Sequence, residues 1–250
     1  MPPVFTLDAD GAWSPAADAR GPFEGLQGGG VAALMAQAVA AAADGFVASV
    51  TTHFLKPAPL APLRVAVRPL RTGRRVSVVD AEVSSAQGLV AVQRATVITE
   101  LPDAGLPTPP CSPADPERLP RERRAASHGG SWMMDTLDVR VTDGAAWFRQ
   151  ERPLFAHPSP LGRVLVAADW AHGLFAPLGT DARPPAAIPN TDLSVNLFRL
   201  PRGAWIGVEA QTAWSRTGVG AGWAALRDAD GLIGRVAMSV AVTPLPAEIA

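Results

Sequence analysis

Asp169 stands in the run LVAADWAHGLF, a carboxylate among apolar neighbours. Burial raises a carboxylate pKa unless hydrogen bonds or a counter-charge hold the anion. A group kept at that cost suits general-base or water-orienting work. The competing role is a cap at a helix start, where free backbone N–H groups hold the charge. Asn190, Thr191 and Asp192 follow Ile188-Pro189 and open a strand. Their side chains either bond the local backbone or hold a water together with Asp169. Gly28, Gly29 and Gly30 precede an apolar helical run. Glycine lets a backbone approach a ligand, and helix N-terminal N–H groups can hold an oxyanion. The alternative for these glycines is a tight turn with close helix-to-sheet packing. His53, in TTHFLKP at the expected start of a strand, either faces a ligand tunnel or is a strand histidine with its hydrogen bond satisfied. Trp170, next to Asp169, either lines a pocket or fills the core.

Other chemistries lack their motifs. There is no G-x-S-x-G elbow for a serine hydrolase. Cys111 lies in PPCSPADP, a poor scaffold for a nucleophile that needs a fixed base. The glycine run at Gly218–Gly222 falls within strand-rich sequence, without the crossover a nucleotide loop needs. His128, His157 and His172 are scattered, and no His/Cys/Asp cluster has metal-ligand spacing, so no metal or cofactor is expected. Arg71, Arg74 and Arg75 read as a solvated hairpin tip, the alternative being contact with the phosphates of a ligand.

Composition narrows the class further. Hydrophobic residues make up 48% and charged residues 18% of 250 residues, which excludes a disordered chain. A net charge of −1 argues against nucleic acid as a partner. A single cysteine excludes a disulfide framework. No apolar run is long enough to span a bilayer, and MPPVFTLDADG does not read as a signal peptide. The expectation is a cytoplasmic protein.

The elements that must position these residues come in two copies. Residues 50–102 and 193–246 repeat each other at an offset of about 143 residues. His53 answers Asn196, Phe54 answers Leu197, Lys56 answers Arg199, and the Gln87-Gly88 turn answers Asp230-Gly231. Alternating β-branched runs predict antiparallel strands at 64–70, 76–84 and 89–98, and again at 192–197, 206–214, 220–227 and 234–242. One apolar helix is predicted ahead of each meander, over 28–43 and 164–178. Between the copies, residues 101–130 hold seven prolines and read as a linker. The fold class is therefore α+β: a tandem (double) hot-dog, each half a long antiparallel sheet wrapped around one apolar helix. The halves are placed at 1–102 and 131–250, with a linker at 103–130.

The segments GPFEGLQGGGVAAL, THFLKP, ADWAHGLF, NTDLSVNLFRLPRGAW and ADGLIGRVAMSV occur in this order over nearly the whole chain. In that pattern the chain resembles the acyl-CoA thioesterase II family, the double hot-dog thioesterases. The resemblance implies hydrolysis of acyl-CoA to fatty acid and CoA by a water held between an Asp, a hydroxyl residue and a Gln. The Asp position falls on Asp169. The hydroxyl position holds Asn190, with Thr191 beside it. The Gln position falls on Met238 or Ser239, so no Gln is present there. Substrate contacts are expected from Gly28, Gly29, Gly30, His53, Trp170, Met238 and Ser239. The alternative is an acyl or acyl-CoA binding protein of the same fold with impaired catalysis. The Asp and His pair that hot-dog hydratases place before a helix is not found. Family habit suggests a homodimer or homotetramer and a role in fatty acid metabolism.

Overall fold

Ala, Leu and Met predispose residues 28–42 to a helix, and the Gln27 side chain starts it by accepting the Gly30 N–H at 2.6 Å. In the computed structural model the described residues are 1–22, 24–122, 130–142, 144–172 and 186–244. A short hairpin, β1 (Phe5–Leu7) and β2 (Trp13–Pro15), leads into α1 (Gly28–Ala42). Then come β3 (Phe46–Phe54), β4 (Arg64–Arg71), β5 (Val76–Ser85) and β6 (Gly88–Ile98). The plan repeats with the hairpin β7 (Leu137–Val141) and β8 (Ala146–Gln150), then α2 (Pro160–Ala168). It continues through β9 (Ala186–Ala187), β10 (Asp192–Leu197), β11 (Trp205–Trp214), β12 (Val219–Asp228), β13 (Gly231–Ala241) and β14 (Thr243–Pro244).

Ten strands join one antiparallel sheet in the order β4-β5-β6-β3-β10-β13-β12-β11-β8-β7. The halves meet where β3 pairs with β10, and the register is that of a two-fold axis. His53 lies opposite Asp192, Ser49 opposite Asn196, and Thr51 opposite its own counterpart Ser194. Ser194 and Thr51 are 143 residues apart, and their hydroxyls hydrogen-bond at 3.2 Å. The matching extends to irregularities: each half has a bulge beside its last hairpin, at Val83/Ser84 and at Leu226/Arg227. It also extends to a side-chain latch. Lys56 Nζ donates to the Gln87 carbonyl of one hairpin, and Arg199 grips Asp228 and the Gly231 carbonyl of the other. Gly88 and Gly231 have φ of +95° and +140°, which explains glycine at both turns. This is the tandem hot-dog.

Both helices lie on one face of the sheet and pack on each other, and the buried apolar residues form one main cluster around them. Strand bounds fall within a few residues of expectation, but three readings need correction. The second helix spans Pro160–Ala168 rather than 164–178, because Ser159 caps it by accepting the Gly162 N–H and Pro160 opens its first turn. The tail of the expected helix, past 172, lies outside the described residues. His53 stands near the end of β3, not at its start. The hairpins β1–β2 and β7–β8 were not legible, since runs of three and five residues carry too little periodicity.

The Pro-rich segment between the halves lies against the second half. Ser112 and Ala114 donate backbone hydrogen bonds to Asp230 and Ala229, and Glu122 to Val139. Glu117 meets Arg149 and the Trp205 indole N–H, while buried Asp138 gathers Arg140 and Arg149. No helix among the described residues is long and apolar enough to cross a membrane.

Candidate active site

Asp169 follows the last residue of α2 and is 5% exposed. It does not start a helix, so the capping role weighed for it does not apply. It stands at the negative end of the α2 dipole, which disfavours a carboxylate. The compensation comes from α1, whose N-terminal first turn packs directly on this end of α2. A Cβ added to Gly29 would lie 2.4 Å from the Leu165 carbonyl and 2.8 Å from Asp169 Cβ. Only glycine permits that approach, and it brings the positive end of α1 to the acid. Gln27, almost fully buried, ties the two helix ends: its Oε1 caps α1 and its Nε2 donates to the Val166 carbonyl of α2 at 3.2 Å.

Asn190 precedes β10 and reaches the acid. Its Nδ2 donates to Asp169 Oδ1 at 2.9 Å and to the Asp192 carbonyl at 3.2 Å. An amide nitrogen has two hydrogens, so both are committed. Asn190 therefore fixes the carboxylate. Burial pushes the Asp169 carboxyl above the usual carboxylate range; the nearby His172, the Gly29 N–H and the Asn190 amide pull the other way.

Gly28 lies close to the carboxylate. A methyl there would sit 3.0 Å from Asp169 Oδ1, 3.4 Å from Oδ2 and 3.0 Å from Phe54 Cζ. The three glycines do different work. Gly29 packs on α2 and supports the anion, Gly30 gives its N–H to Gln27, and Gly28 lies against the acid with no side chain to press on it.

His172 is the neighbour that the residue pattern did not bring forward. It lies three positions after Asp169 and is 7% exposed, and among the described residues its Nδ1 makes no well-formed hydrogen bond. Burial lowers its pKa, while the Asp169 carboxylate and the backbone carbonyls of Asp169 and Ile188 act to raise it. The spacing of Asp169 and His172 was the available signal. It was passed over because His172 was read with His128 and His157 as scattered. Gln27 and Phe54 were also missed; the sequence QGGG at a helix start held the cue for the first.

The remaining sequence candidates scatter. Trp170 is buried and meets Trp132 edge-on, with ring centroids 5.6 Å apart. Met238 turns inward beside Gly222, while Ser239 is exposed and donates its N–H to Asp192 Oδ1. Thr191 is exposed, and its hydroxyl and N–H both point to the Ser239 carbonyl rather than to the acid. His53 is exposed, on the sheet face opposite the helices, in a polar groove with Ser49, Thr51, Asp80, Glu82 and Arg94.

The tandem hot-dog defines a fold class, and comparison with known proteins places the chain in a family. Residues 18–99 match the family model of the acyl-CoA thioesterase N-terminal domain, and residues 99–242 that of the C-terminal domain. The chain belongs to the acyl-CoA thioesterase family. Among solved structures it is similar to a hot-dog protein of unknown function from Alicyclobacillus acidocaldarius, at TM-score 0.70 and 18% identity over 94% of this chain and 93% of that one. It is also similar to an acyl-CoA thioesterase II from Mycobacterium marinum, at TM-score 0.69 and 17% identity over 90% and 93%. A third is a tesB protein of Mycobacterium avium subs. paratuberculosis, at TM-score 0.65 and 16% identity over 88% of each chain. At these identities the likeness is one of fold. No curated protein matches the chain at the level of sequence.

Proposed function

We propose that this protein hydrolyses acyl-CoA thioesters, with Asp169 as the base that orients and deprotonates the attacking water. The observation that carries the proposal is the buried Asp169 carboxylate, held by Asn190 at 2.9 Å and faced by bare glycine backbone, in a member of this family. Water gives one proton to the carboxylate as its oxygen attacks the thioester carbon. The developing oxyanion is received by backbone N–H at the start of α1, where Gly28 is the donor not spent on Asp169 or Gln27. Collapse breaks the C–S bond, its electron pair leaves on sulfur, and the proton held by Asp169 passes to the thiolate. The products are a carboxylic acid and the CoA thiol. No covalent acyl-enzyme forms.

Asn190 acts through Asp169 as a positioning residue. Thr191, His53 and Ser239 have no part in this scheme, since none faces the acid. Two modules at 1–102 and 131–250, joined by 103–130, are part of the same proposal. So are the cytoplasmic setting, the role in fatty acid metabolism and the homodimer or homotetramer.

The second reading is a binding protein that has lost catalysis, and it is favoured by inward-facing Met238, which offers no polar group to a water. Release of CoA thiol from butyryl-, octanoyl- and palmitoyl-CoA, measured beside calorimetric binding of the same compounds, separates the two. Turnover supports the hydrolase. Binding without turnover supports the binding protein.

A further inference from the structure

We propose that Phe54 is a specificity-determining residue: its ring stands beside the reacting thioester carbon and favours acyl groups that are unbranched at the carbon next to the carbonyl. This deepens the hydrolase proposal and depends on it for its kinetic arm.

The place of Phe54 is fixed by its backbone and by packing. It ends β3, and its N–H donates to the Thr191 carbonyl at 3.0 Å. Thr191 adjoins Asn190, the residue that holds Asp169. Strand alternation sends the Phe54 side chain to the helix face of the sheet. Thr52, two residues earlier, is fully buried there and accepts from Gln93, which also donates to the Ala32 carbonyl of α1. His53, between them, lies on the other face. The ring tip then meets the start of α1. The position of a Cβ on Gly28 lies 3.0 Å from Phe54 Cζ and 3.0 Å from Asp169 Oδ1. The ring tip and the carboxylate oxygen are therefore separated by no more than twice that distance.

Burial separates the acid from the residues around it. Asp169, Gly29 and Gln27 are buried, whereas Gly28, Phe54 and Asn190 are half-buried. Gly29 and the end of α2 pack behind the acid, so a substrate meets the half-buried residues first. In the hydrolase scheme the Gly28 N–H receives the oxyanion. The attacking water lies about 3 Å from the carboxylate, and the reacting carbon about 3–3.5 Å from the water. The reacting carbon is then no further from Asp169 than the Phe54 ring tip, and Gly28 is the neighbour of both. The acyl carbon attached to the carbonyl packs on the ring. A straight chain presents only hydrogens there. A methyl branch presses on an aromatic side chain that is packed against the core.

The test uses isomeric pairs that differ only in branching: butyryl- against isobutyryl-CoA, and octanoyl- against 2-methylheptanoyl-CoA. Each is measured with wild type, Phe54→Leu and Phe54→Ala, and thermal unfolding checks both variants for folding. Wild type is expected to favour the straight isomer by roughly tenfold or more in kcat/KM, the discrimination that one methyl group supplies. Phe54→Ala is expected to cut that preference by roughly fivefold or more, with Phe54→Leu between. If the Ala variant does not fold, the Leu variant carries the test. A purely structural role would lower both isomers together and leave their ratio unchanged. An unchanged ratio in a folded variant, or a wild type indifferent to branching, overturns the proposal. Calorimetric binding of the same pairs is the arm that needs no turnover. A wild type that hydrolyses none of them but binds the straight isomers more tightly, with the preference lost in Phe54→Ala, overturns the hydrolase proposal and supports the role of Phe54. Binding without turnover that is indifferent to branching overturns both, as does a folded wild type that binds none of the four.

Discussion

Asn190 donates to Asp169 Oδ1 across 2.9 Å, from the start of β10 to the C-terminal end of α2. The contact joins two segments that are 21 residues apart in the chain. A neutral donor to a charged acceptor is worth about 1.5–3 kcal/mol when buried. Asn190→Ala should therefore lower kcat by roughly ten- to a hundredfold, with KM changed far less. Steady-state hydrolysis of the preferred acyl-CoA measures it. An unchanged kcat would remove Asn190 from the site.

The pH profile follows from the same acid. Burial raises the Asp169 pKa, so activity should fall on acidification at a pH above the ordinary carboxylate range. In Asn190→Ala, which has lost one stabilising donor, the acid limb should move further up. The sign for stability is the reverse of the usual acid. A carboxyl raised on folding favours the fold at pH below its unfolded value, and that contribution is lost as pH rises through the folded one. At pH 8 the Asp169→Asn protein should melt no lower than wild type. A clear drop in Tm would mean that the anion serves the fold.

Gly28 and Gly29 separate function from packing. Gly29→Ala places a methyl 2.4 Å from the Leu165 carbonyl, backbone that cannot give way. It should cost about 1–3 kcal/mol, the usual cost of overpacking. For a chain of this size that is a fall in Tm of roughly 2–4 °C per kcal/mol. The nearest atoms to a methyl in Gly28→Ala are side-chain atoms, Asp169 Oδ1 and Phe54 Cζ at 3.0 Å. Its effect should appear in turnover more than in melting. Melting curves and kcat for the pair read the contrast directly.

The latch at the second hairpin is a stability element. The Asp228 side chain is fully buried and receives Arg199, with N–H groups from Arg202, Asp230 and Gly231. Burial alone would raise its pKa, but Arg199 and the backbone donors hold it below the usual carboxylate range. A depressed pKa adds stability above the unfolded value, lost as pH falls through the folded one. Asp228→Asn should cost about 2–3 kcal/mol at neutral pH. That is less than for a fully enclosed pair, because a quarter of Arg199 is in solvent. The deficit should shrink toward pH 3, as urea unfolding at several pH values would record.

The fold was legible because the two halves carry the same marks at the same spacing. Lys56 with Gln87-Gly88, and Arg199 with Asp230-Gly231, are visible as a repeat and prove to be the same latch twice. Asp169 and Asn190 were legible through family pattern, since neither type nor spacing alone brings residues 21 apart together. Gln27 was not. Its role comes from the way the start of α1 abuts the end of α2, a contact across 139 residues between Gln27 and Val166 that local periodicity cannot encode. Thr191 was considered because it adjoins Asn190, and Ser239 because the family's Gln position falls on it or on Met238; Thr191 instead bonds the Ser239 carbonyl, and strand alternation turns Ser239 outward.

The most direct test of the central claim is kcat for Asp169→Asn, which keeps shape and hydrogen-bonding and removes the proton acceptor. With wild type turning over its preferred acyl-CoA, the variant should fall by about 10²–10⁴-fold in kcat while still binding substrate in calorimetry. A folded Asp169→Asn protein that hydrolyses acyl-CoA at the wild-type rate would contradict the account.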